Sequence, residues 1–157
     1  MALTVSVAMA CYNGARFLRE QLQSIAEQSL APQEIVICDD GSTDETLQVA
    51  GEFAATASFP VRIHSNPRRL GYVRNFRTAV GHCRGDLIAF SDQDDVWCPD
   101  RLERIARCFE DPQVLLVYHN AWIVDAQRHQ LGLLYNDETE QRALSLEPIG
   151  PWNHSYG

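Results

Sequence analysis

The residues most suited to chemistry lie in the stretch Ala89-Phe90-Ser91-Asp92-Gln93-Asp94-Asp95-Val96-Trp97. An apolar run, Leu87-Ile88-Ala89-Phe90, leads directly into three carboxylates within four positions, and Pro99 and Asp100 follow. Like charges this close repel unless something positive sits among them. A divalent cation answers that need. Asp92, Asp94 and Asp95 offer the hard oxygen ligands that Mg²⁺ or Mn²⁺ prefers, with coordination positions left over for phosphate oxygens. The competing reading is a solvated acidic turn that only caps the next helix.

Two further loops carry unusual residues. Asp39-Asp40-Gly41-Ser42 has one glycine and two acids, which would repel a phosphate. Carboxylates there suit a base N–H or a ribose hydroxyl, although Asp39 could equally serve as a helix cap. Cys11-Tyr12-Asn13-Gly14 ends the first apolar run. Arg68, Arg69, Arg74 and Arg77 form the one local basic cluster. Arg74 and Arg77 share a helix face, and Arg74, nearest the Gly71 loop, is the candidate for a diphosphate. Arg68 and Arg69 read better as a solvated face. The histidines show no paired zinc spacing. There is no nucleophile elbow, Gly-rich dinucleotide fingerprint or Walker loop.

The elements that must position these loops follow from periodicity. Leu3 to Ala10 is short, apolar and partly β-branched, a first strand. From Ala15 the period changes, and Phe17, Leu18, Leu22, Ile25 and Ala26 fall on one helical face. Glu34 to Cys38 is nearly continuous in apolar character, as in a strand buried on both faces. Ser42 or Thr43 is the expected N-cap of the next helix, with Asp44 and Glu45 in its first turn. Pro60 to His64 is a third strand. Tyr72 to Cys83 is a helix with Val73, Phe76, Ala79 and Val80 inward. Asp86 to Ser91 is a fourth strand that reads as buried, and Arg101 to Glu110 a helix. Val114–Tyr118 and Ala121–Val124 are expected strands, and Gln127 to Gln130 a hairpin turn with Leu131 to Tyr135 returning. Such alternation predicts an α/β fold with a mostly parallel sheet flanked by helices. Ligands of such sheets bind beyond the carboxyl ends of the strands, where all three unusual loops fall.

Composition bounds the partners. The 157 residues suffice for one domain with a real core. Thirteen basic and 21 acidic residues give a net charge of −8, which argues against nucleic acid as a partner. No run approaches the ~20 apolar residues of a transmembrane segment. The N-terminus lacks a basic region followed by an apolar one, so no signal peptide is expected. Five cysteines without metal-ligand spacing read as reduced thiols of a cytoplasmic protein.

The motifs in order are Val5-Ser-Val-Ala-Met-Ala-Cys-Tyr-Asn-Gly14, Leu22-Gln-Ser-Ile25 with Gln28, Ile35-Val-Ile-Cys-Asp-Asp-Gly-Ser-Thr-Asp-Glu-Thr46, and Gly85-Asp-Leu-Ile-Ala-Phe-Ser-Asp-Gln-Asp-Asp-Val-Trp97 with Pro99. Over about residues 3 to 125 these resemble family 2 glycosyltransferases of the GT-A, Rossmann-like fold. Ser-Asp-Gln-Asp-Asp-Val-Trp is similar to the bacterial rhamnosyltransferase branch. The resemblance implies inverting transfer of a sugar from a UDP- or dTDP-linked donor to the hydroxyl of a saccharide or lipid-linked saccharide acceptor, in bacterial surface polysaccharide synthesis. It implies Mg²⁺ or Mn²⁺ as cofactor. Ala10, Tyr12 and Asn13 would line the nucleoside site and Asp40 would contact the base. Arg74 would approach the diphosphate. Asp92 and Asp94 would form the Asp-x-Asp motif, with Asp94 or Asp95 as metal ligand. It further implies a nucleotide-sugar-binding domain over residues 1–135 and an irregular tail over 136–157. The base and the acceptor-binding segment would belong to a later part, so the C-terminal part of the fold is expected to be truncated. Asp125, Asp137 and Glu138 sit in no recognisable base motif. A cytoplasmic location is expected, with peripheral attachment at the inner membrane face as an option. A non-catalytic nucleotide-sugar-binding module and a sugar nucleotidyltransferase are the alternatives; Asn13-Gly14-Ala15-Arg16 is a poor version of the latter's phosphate loop.

Overall fold

A computed structural model describes residues 3–125, 127 and 129–133. The expected tail over 136–157, with Asp137 and Glu138, lies outside the described residues. Two compact units part between Ala106 and Arg107.

The first unit alternates strand and helix: β1 (Val5–Cys11), α1 (Ala15–Ala26), β2 (Glu34–Asp39), α2 (Thr46–Ala54), β3 (Val61–Ser65), α3 (Tyr72–His82), β4 (Leu87–Asp92) and the start of α4 (Arg101–Cys108). The four strands form one parallel sheet in the order β3-β2-β1-β4. Successive strands run outward from β1 to β3, and then β4 returns to the other side of β1. That reversal is the topological switch point, and it opens a crevice at the strand ends between the β1 and β4 loops.

β1 and β2 are central, and their nearly continuous apolar sequences are buried on both faces. One face carries Val7, Met9, Ile35 and Ile37 against Leu18, Leu22 and Ile25 of α1 and Val49 and Ala50 of α2. Full burial of each large side chain contributes about 1.5–3 kcal/mol. The other face is lined by small residues, Ala8, Val36 and Cys38, which receive Ala79 and Val80 of α3. The result is a helix–sheet–helix sandwich.

The expected burial of β4 is not met on both faces. Ala89 and Ser91 are buried, whereas Ile88 and Phe90 are 38% and 53% exposed. Among the described residues β4 is the edge strand of the sheet, and on this face the Phe76 ring meets Phe90 edge-on at 5.5 Å. Val73, expected inward on α3, is 62% exposed. Its place on the packed stripe is taken by Asn75, 2% exposed, which lies one helical turn before Ala79. α2 begins at Thr46, later than its expected caps, because Ser42 and Asp44 have other partners. Ser42 donates to Asp39, and Asp44 Oδ1 accepts from the Thr46 N–H at 3.0 Å.

At the opposite end of the sheet, a buried polar knot ties four segments. Glu34, 4% exposed, accepts from Ser6 Oγ at 2.8 Å, Arg62 Nε at 3.0 Å and the Arg84 N–H at 2.7 Å. Burial pushes the Glu34 carboxyl up, but these bonds and the Arg62 charge outweigh it and hold it below its ordinary range. Gly85 runs so close to β1 that an added Cβ would lie 2.6 Å from the Ser6 nitrogen.

The second unit contains an antiparallel hairpin, β5 (Trp122–Val124) with β6 (Gln130–Leu133), as the turn at 127–130 suggested. The expected strand at Val114–Tyr118 does not form; those residues are irregular and Leu115, Leu116 and Tyr118 are exposed.

Candidate donor site

Register brings the three loops together. Ala10 pairs with Cys38 on one side and with Asp92 on the other, and Cys11 pairs with Asp39. The acidic loop after β4 and the acidic loop after β2 therefore flank the end of β1. All the expected site residues, Ala10, Tyr12, Asn13, Asp40, Arg74, Asp92, Asp94 and Asp95, fall at this carboxyl edge or in the elements that begin there.

The β1 loop is gripped from both sides. Asn13 adopts φ 48°, a left-handed conformation that asparagine tolerates. Its N–H donates to Ser42 Oγ at 2.9 Å, and its Oδ1 accepts from the Thr43 N–H at 2.8 Å. The Gly14 N–H donates to Thr46 Oγ1 at 2.8 Å, and the Ala15 N–H to Asp44 Oδ2 at 3.1 Å. On the other side, Gln93 takes both main-chain groups of Tyr12. The Tyr12 N–H donates to Gln93 Oε1 at 2.9 Å, and Gln93 Nε2 donates to the Tyr12 carbonyl at 3.1 Å. The Tyr12 ring carries the Arg69 guanidinium 3.8 Å from its centroid, within the range of a cation–π contact. Arg69, expected on a solvated face, thus has an aromatic partner in the β1 loop.

The two acids after β2 have separate duties. Asp39, 1% exposed, turns its carboxylate into its own loop, where Oδ2 accepts from the Gly41 and Ser42 N–H groups at 3.1 and 3.0 Å. Asp40, 3% exposed, reaches the loop before α3. Oδ1 accepts from Asn66 Nδ2 at 2.9 Å and the Leu70 N–H at 2.7 Å, and Oδ2 from the Gly71 N–H at 2.8 Å. Burial pushes its carboxyl up, yet these donors and the Arg69 charge win and hold it below the usual carboxylate range. Gly71, at φ 82°, caps α3, so the negative charge also faces a helix N-terminus. Arg74 lies in the first turn of that helix and is exposed.

Asn75 and Gln21 are the supporting residues that the sequence reading passed over. Asn75 Nδ2 donates to the Cys38 carbonyl at 2.8 Å and the Cys11 carbonyl at 3.3 Å, and its Oδ1 accepts from Asn66 at 2.8 Å. It thereby fixes the ends of β1 and β2 against α3. Gln21 lies fully buried, 2.6 Å from Ser91 Oγ. With its amide oriented to satisfy every neighbour, the oxygen faces Ser91 and Trp97 Nε1 and the nitrogen faces Ser24 and the Asp95 carbonyl. The signal in both cases was a polar residue at an apolar-stripe position, Gln21 among Leu18, Leu22 and Ile25 and Asn75 before Ala79.

The acidic loop itself carries crowded negative charge. Asp94 and Asp95 are exposed. The Asp92 carboxyl is pushed up by partial burial at the sheet end and then by the charges of Asp95 and Asp94. A divalent ion there would relieve that mutual repulsion. Among the described residues no three metal-ligating side chains converge on one point. An Mg²⁺ or Mn²⁺ ion held by Asp94 and Asp95 would therefore take the rest of its shell from phosphates and water. Trp97 anchors the loop's far end, 6% exposed, with its N–H on Ser24 Oγ at 3.0 Å and Arg101 stacked 3.7 Å from its ring centroid.

Asp125, the one acid of the later group that is described, organises the hairpin. Its Oδ1 accepts from the Gln127 and His129 N–H groups at 2.9 and 2.8 Å, and its Oδ2 lies 3.0 Å from His129 Nδ1.

Comparison with known proteins bears on the family and the fold. The dTDP-rhamnosyl transferase RfbG of Shigella flexneri is 36% identical over 117 residues, which cover 72% of this chain and 38% of that protein. The mannosyltransferase PcManGT of Pyrobaculum calidifontis, solved with GDP-Man and Mn²⁺, superposes with a TM-score of 0.68 at 26% identity, over 80% of this chain and 36% of its own. TarS of S. aureus, solved with UDP, gives a TM-score of 0.63 at 26% identity, over 69% of this chain and 32% of its own. These solved structures share the GT-A arrangement of a parallel sheet between helices. The chain spans less than half the length of the curated relatives it matches. The family model for glycosyl transferase family 2 matches residues 6–151, and the chain belongs to that family.

Proposed function

We propose that this chain forms the donor-binding part of an inverting, divalent-metal-dependent glycosyltransferase that takes a sugar from a UDP- or dTDP-linked donor. The observation that carries the reading is the strand register: Asp39 and Asp92 pair with Cys11 and Ala10, so that the acidic loops of β2 and β4 flank the end of β1, with Asp92, Asp94 and Asp95 on the side of the switch point. The dTDP-sugar named for RfbG favours a thymidine or uridine donor. The Mn²⁺ held in the PcManGT structure supports a divalent ion here.

In this reading Ala10, Tyr12 and Asn13 line the nucleoside pocket, and Asp40, expected to contact the base, instead acts through the loop it fixes, because it is buried and both its oxygens are held by Asn66, Leu70 and Gly71. Arg74 offers its guanidinium to the diphosphate. Asp94 and Asp95 hold the cation, with Asp92 beside the ribose or sugar. A bound Mg²⁺ or Mn²⁺ would neutralise the charge that develops on the departing diphosphate. The chain's own carboxylates would at the same time favour positive charge growing at the anomeric carbon. A base must take the acceptor's hydroxyl proton. Asp125 is already committed to its turn, so we place that base, and the saccharide or lipid-linked saccharide acceptor, in the later part of the full-length enzyme. The setting is bacterial surface polysaccharide synthesis at the cytoplasmic side of the membrane.

Calorimetry with UDP, dTDP and GDP, each with and without Mn²⁺, tests the proposal. Metal-dependent binding of at least one is expected, and binding of none would sink it. Asp94→Ala should weaken metal-linked binding far more than Asp137→Ala; equal effects would refute the metal assignment.

A further inference from the structure

Gln93 stands in the acidic loop between Asp92 and Asp94, yet its side chain leaves that loop and closes on the main chain of Tyr12. The β1–β4 ladder ends at the pair Ala10 and Asp92. Beyond it, the two hydrogen bonds between the Gln93 amide and the Tyr12 N–H and carbonyl, at 2.9 and 3.1 Å, act as one more rung made by a side chain. Gly14 leaves the room for it. A Cβ there would come within 2.2 Å of Gln93 Oε1 and 2.4 Å of its Cδ. The other hydrogen bonds of the β1 loop described above run to the β2 side, through Ser42, Thr43, Asp44 and Thr46, and Arg69 stacks on the Tyr12 ring. Among the side-chain bonds of the described residues, Gln93 supplies its tie to the carboxylate loop.

In the donor-site reading a cation held by Asp94 and Asp95 would restrain the backbone that carries them, and Gln93 directly precedes Asp94. The Gln93 amide then transmits that restraint to Tyr12. Coupling between two sites is reciprocal, so a nucleoside that orders Tyr12 must favour the cation by the same factor.

We infer that Gln93 is a positioning residue: its amide links the cation loop to the Tyr12 loop, so that cation and nucleoside bind cooperatively even where no diphosphate joins them. This rests on the donor-site reading above. Ordinary metal–diphosphate contact would couple Mn²⁺ to UDP in any case, and a phosphate-free probe removes it.

The test uses the full chain with uridine, thymidine and guanosine followed by NMR titration, with and without Mn²⁺, beside UDP, dTDP and GDP followed by calorimetry. Wild type should bind one nucleoside about fivefold or more tightly with Mn²⁺, at the lower end of common coupling factors. Gln93→Met keeps the side chain's length and loses both hydrogen bonds; it should abolish that enhancement and leave the Mn²⁺ enhancement of the nucleoside diphosphate largely in place. Gln93→Glu keeps the acceptor for the Tyr12 N–H and loses the donor to its carbonyl, so it should retain only part of the effect. Thermal unfolding of both variants near wild type identifies a folded protein, and Gln93→Glu alone decides if Gln93→Met does not fold. A nucleoside enhancement unchanged in the folded variant overturns the role of Gln93, as does wild type that shows metal-dependent diphosphate binding and no nucleoside enhancement. Wild type that binds no nucleoside diphosphate with Mn²⁺ overturns the donor-site reading itself, and this inference with it.

Discussion

Asp40→Asn removes one charge and changes one atom, and its consequences can be worked through. Asparagine can keep an oxygen toward Asn66 Nδ2 and the Leu70 N–H, which sit 2.9 and 2.7 Å from Oδ1. Those bonds fall from the charged class, about 1.5–3 kcal/mol, to the neutral class, about 0.5–1.5 kcal/mol. The Gly71 N–H, 2.8 Å from Oδ2, would meet an amide N–H and lose its acceptor altogether. Gly71 is exposed, so water can recover part of that loss. A net destabilisation of about 3 kcal/mol follows, measured by urea unfolding followed by tryptophan fluorescence. The pH dependence has a definite sign. Asp40's carboxyl is held below its ordinary value in the fold. Its contribution is therefore present above the unfolded carboxyl's value, about 3.9, and is lost as pH falls through the folded one. Wild type loses that contribution and Asp40→Asn has none to lose, so the gap between them must stay level down to about pH 4 and narrow as pH is lowered further. The other titrating carboxylates are common to both proteins and cancel. A variant within about 0.5 kcal/mol of wild type at neutral pH, or a gap that is independent of pH, would refute the assignment of Asp40 as the clamp on the loop before α3.

Two other features are open to the same measurements. The His64 and His82 rings stack at 3.9 Å, and burial, then the charges of His82 and Arg62, hold His64 below its ordinary value, so stability should fall as pH drops below about 6.5 and His64→Leu should flatten that slope; an equal slope in both proteins would count against it. Gly85→Ala places a Cβ 2.6 Å from the Ser6 backbone nitrogen and should cost about 1–3 kcal/mol, whereas Gly81→Ala, with nothing within 4 Å, should be neutral or stabilising; the reverse order in urea unfolding would show that the β1–β4 approach is looser than described.

The division between what the sequence carried and what the fold decided follows from range. Apolar periodicity is a local property, so β1, β2 and the core of the α1 face, Leu18, Leu22 and Ile25, could be read directly, and the α/β alternation with them, whereas Phe17 and Ala26, expected on that face, lie at its margins and are exposed. The acidic loops were legible because like charges crowded in sequence stay crowded in space. The motifs in their order also identified the family. Local pattern failed where a residue's partner lies far along the chain. Val114–Tyr118 has the composition of a strand and forms none, because a strand also needs a neighbour for its backbone groups. β4 has an apolar sequence like β1, yet its edge position leaves Phe90 half exposed. Ser42 looks like a helix cap, but Asp39 and Asn13 claim it first.

Ligand chemistry resides in side-chain type, so residues with the chemistry to meet a cation and a nucleotide stand out in the chain before it is folded. What each of them touches is set by the fold. It sets Asp39 to its own turn, Asp40 to the loop before α3, Arg69 to the Tyr12 ring and Gln93 to the Tyr12 backbone. Those assignments depend on the strand order β3-β2-β1-β4, which brings residues some 80 positions apart into hydrogen-bond contact.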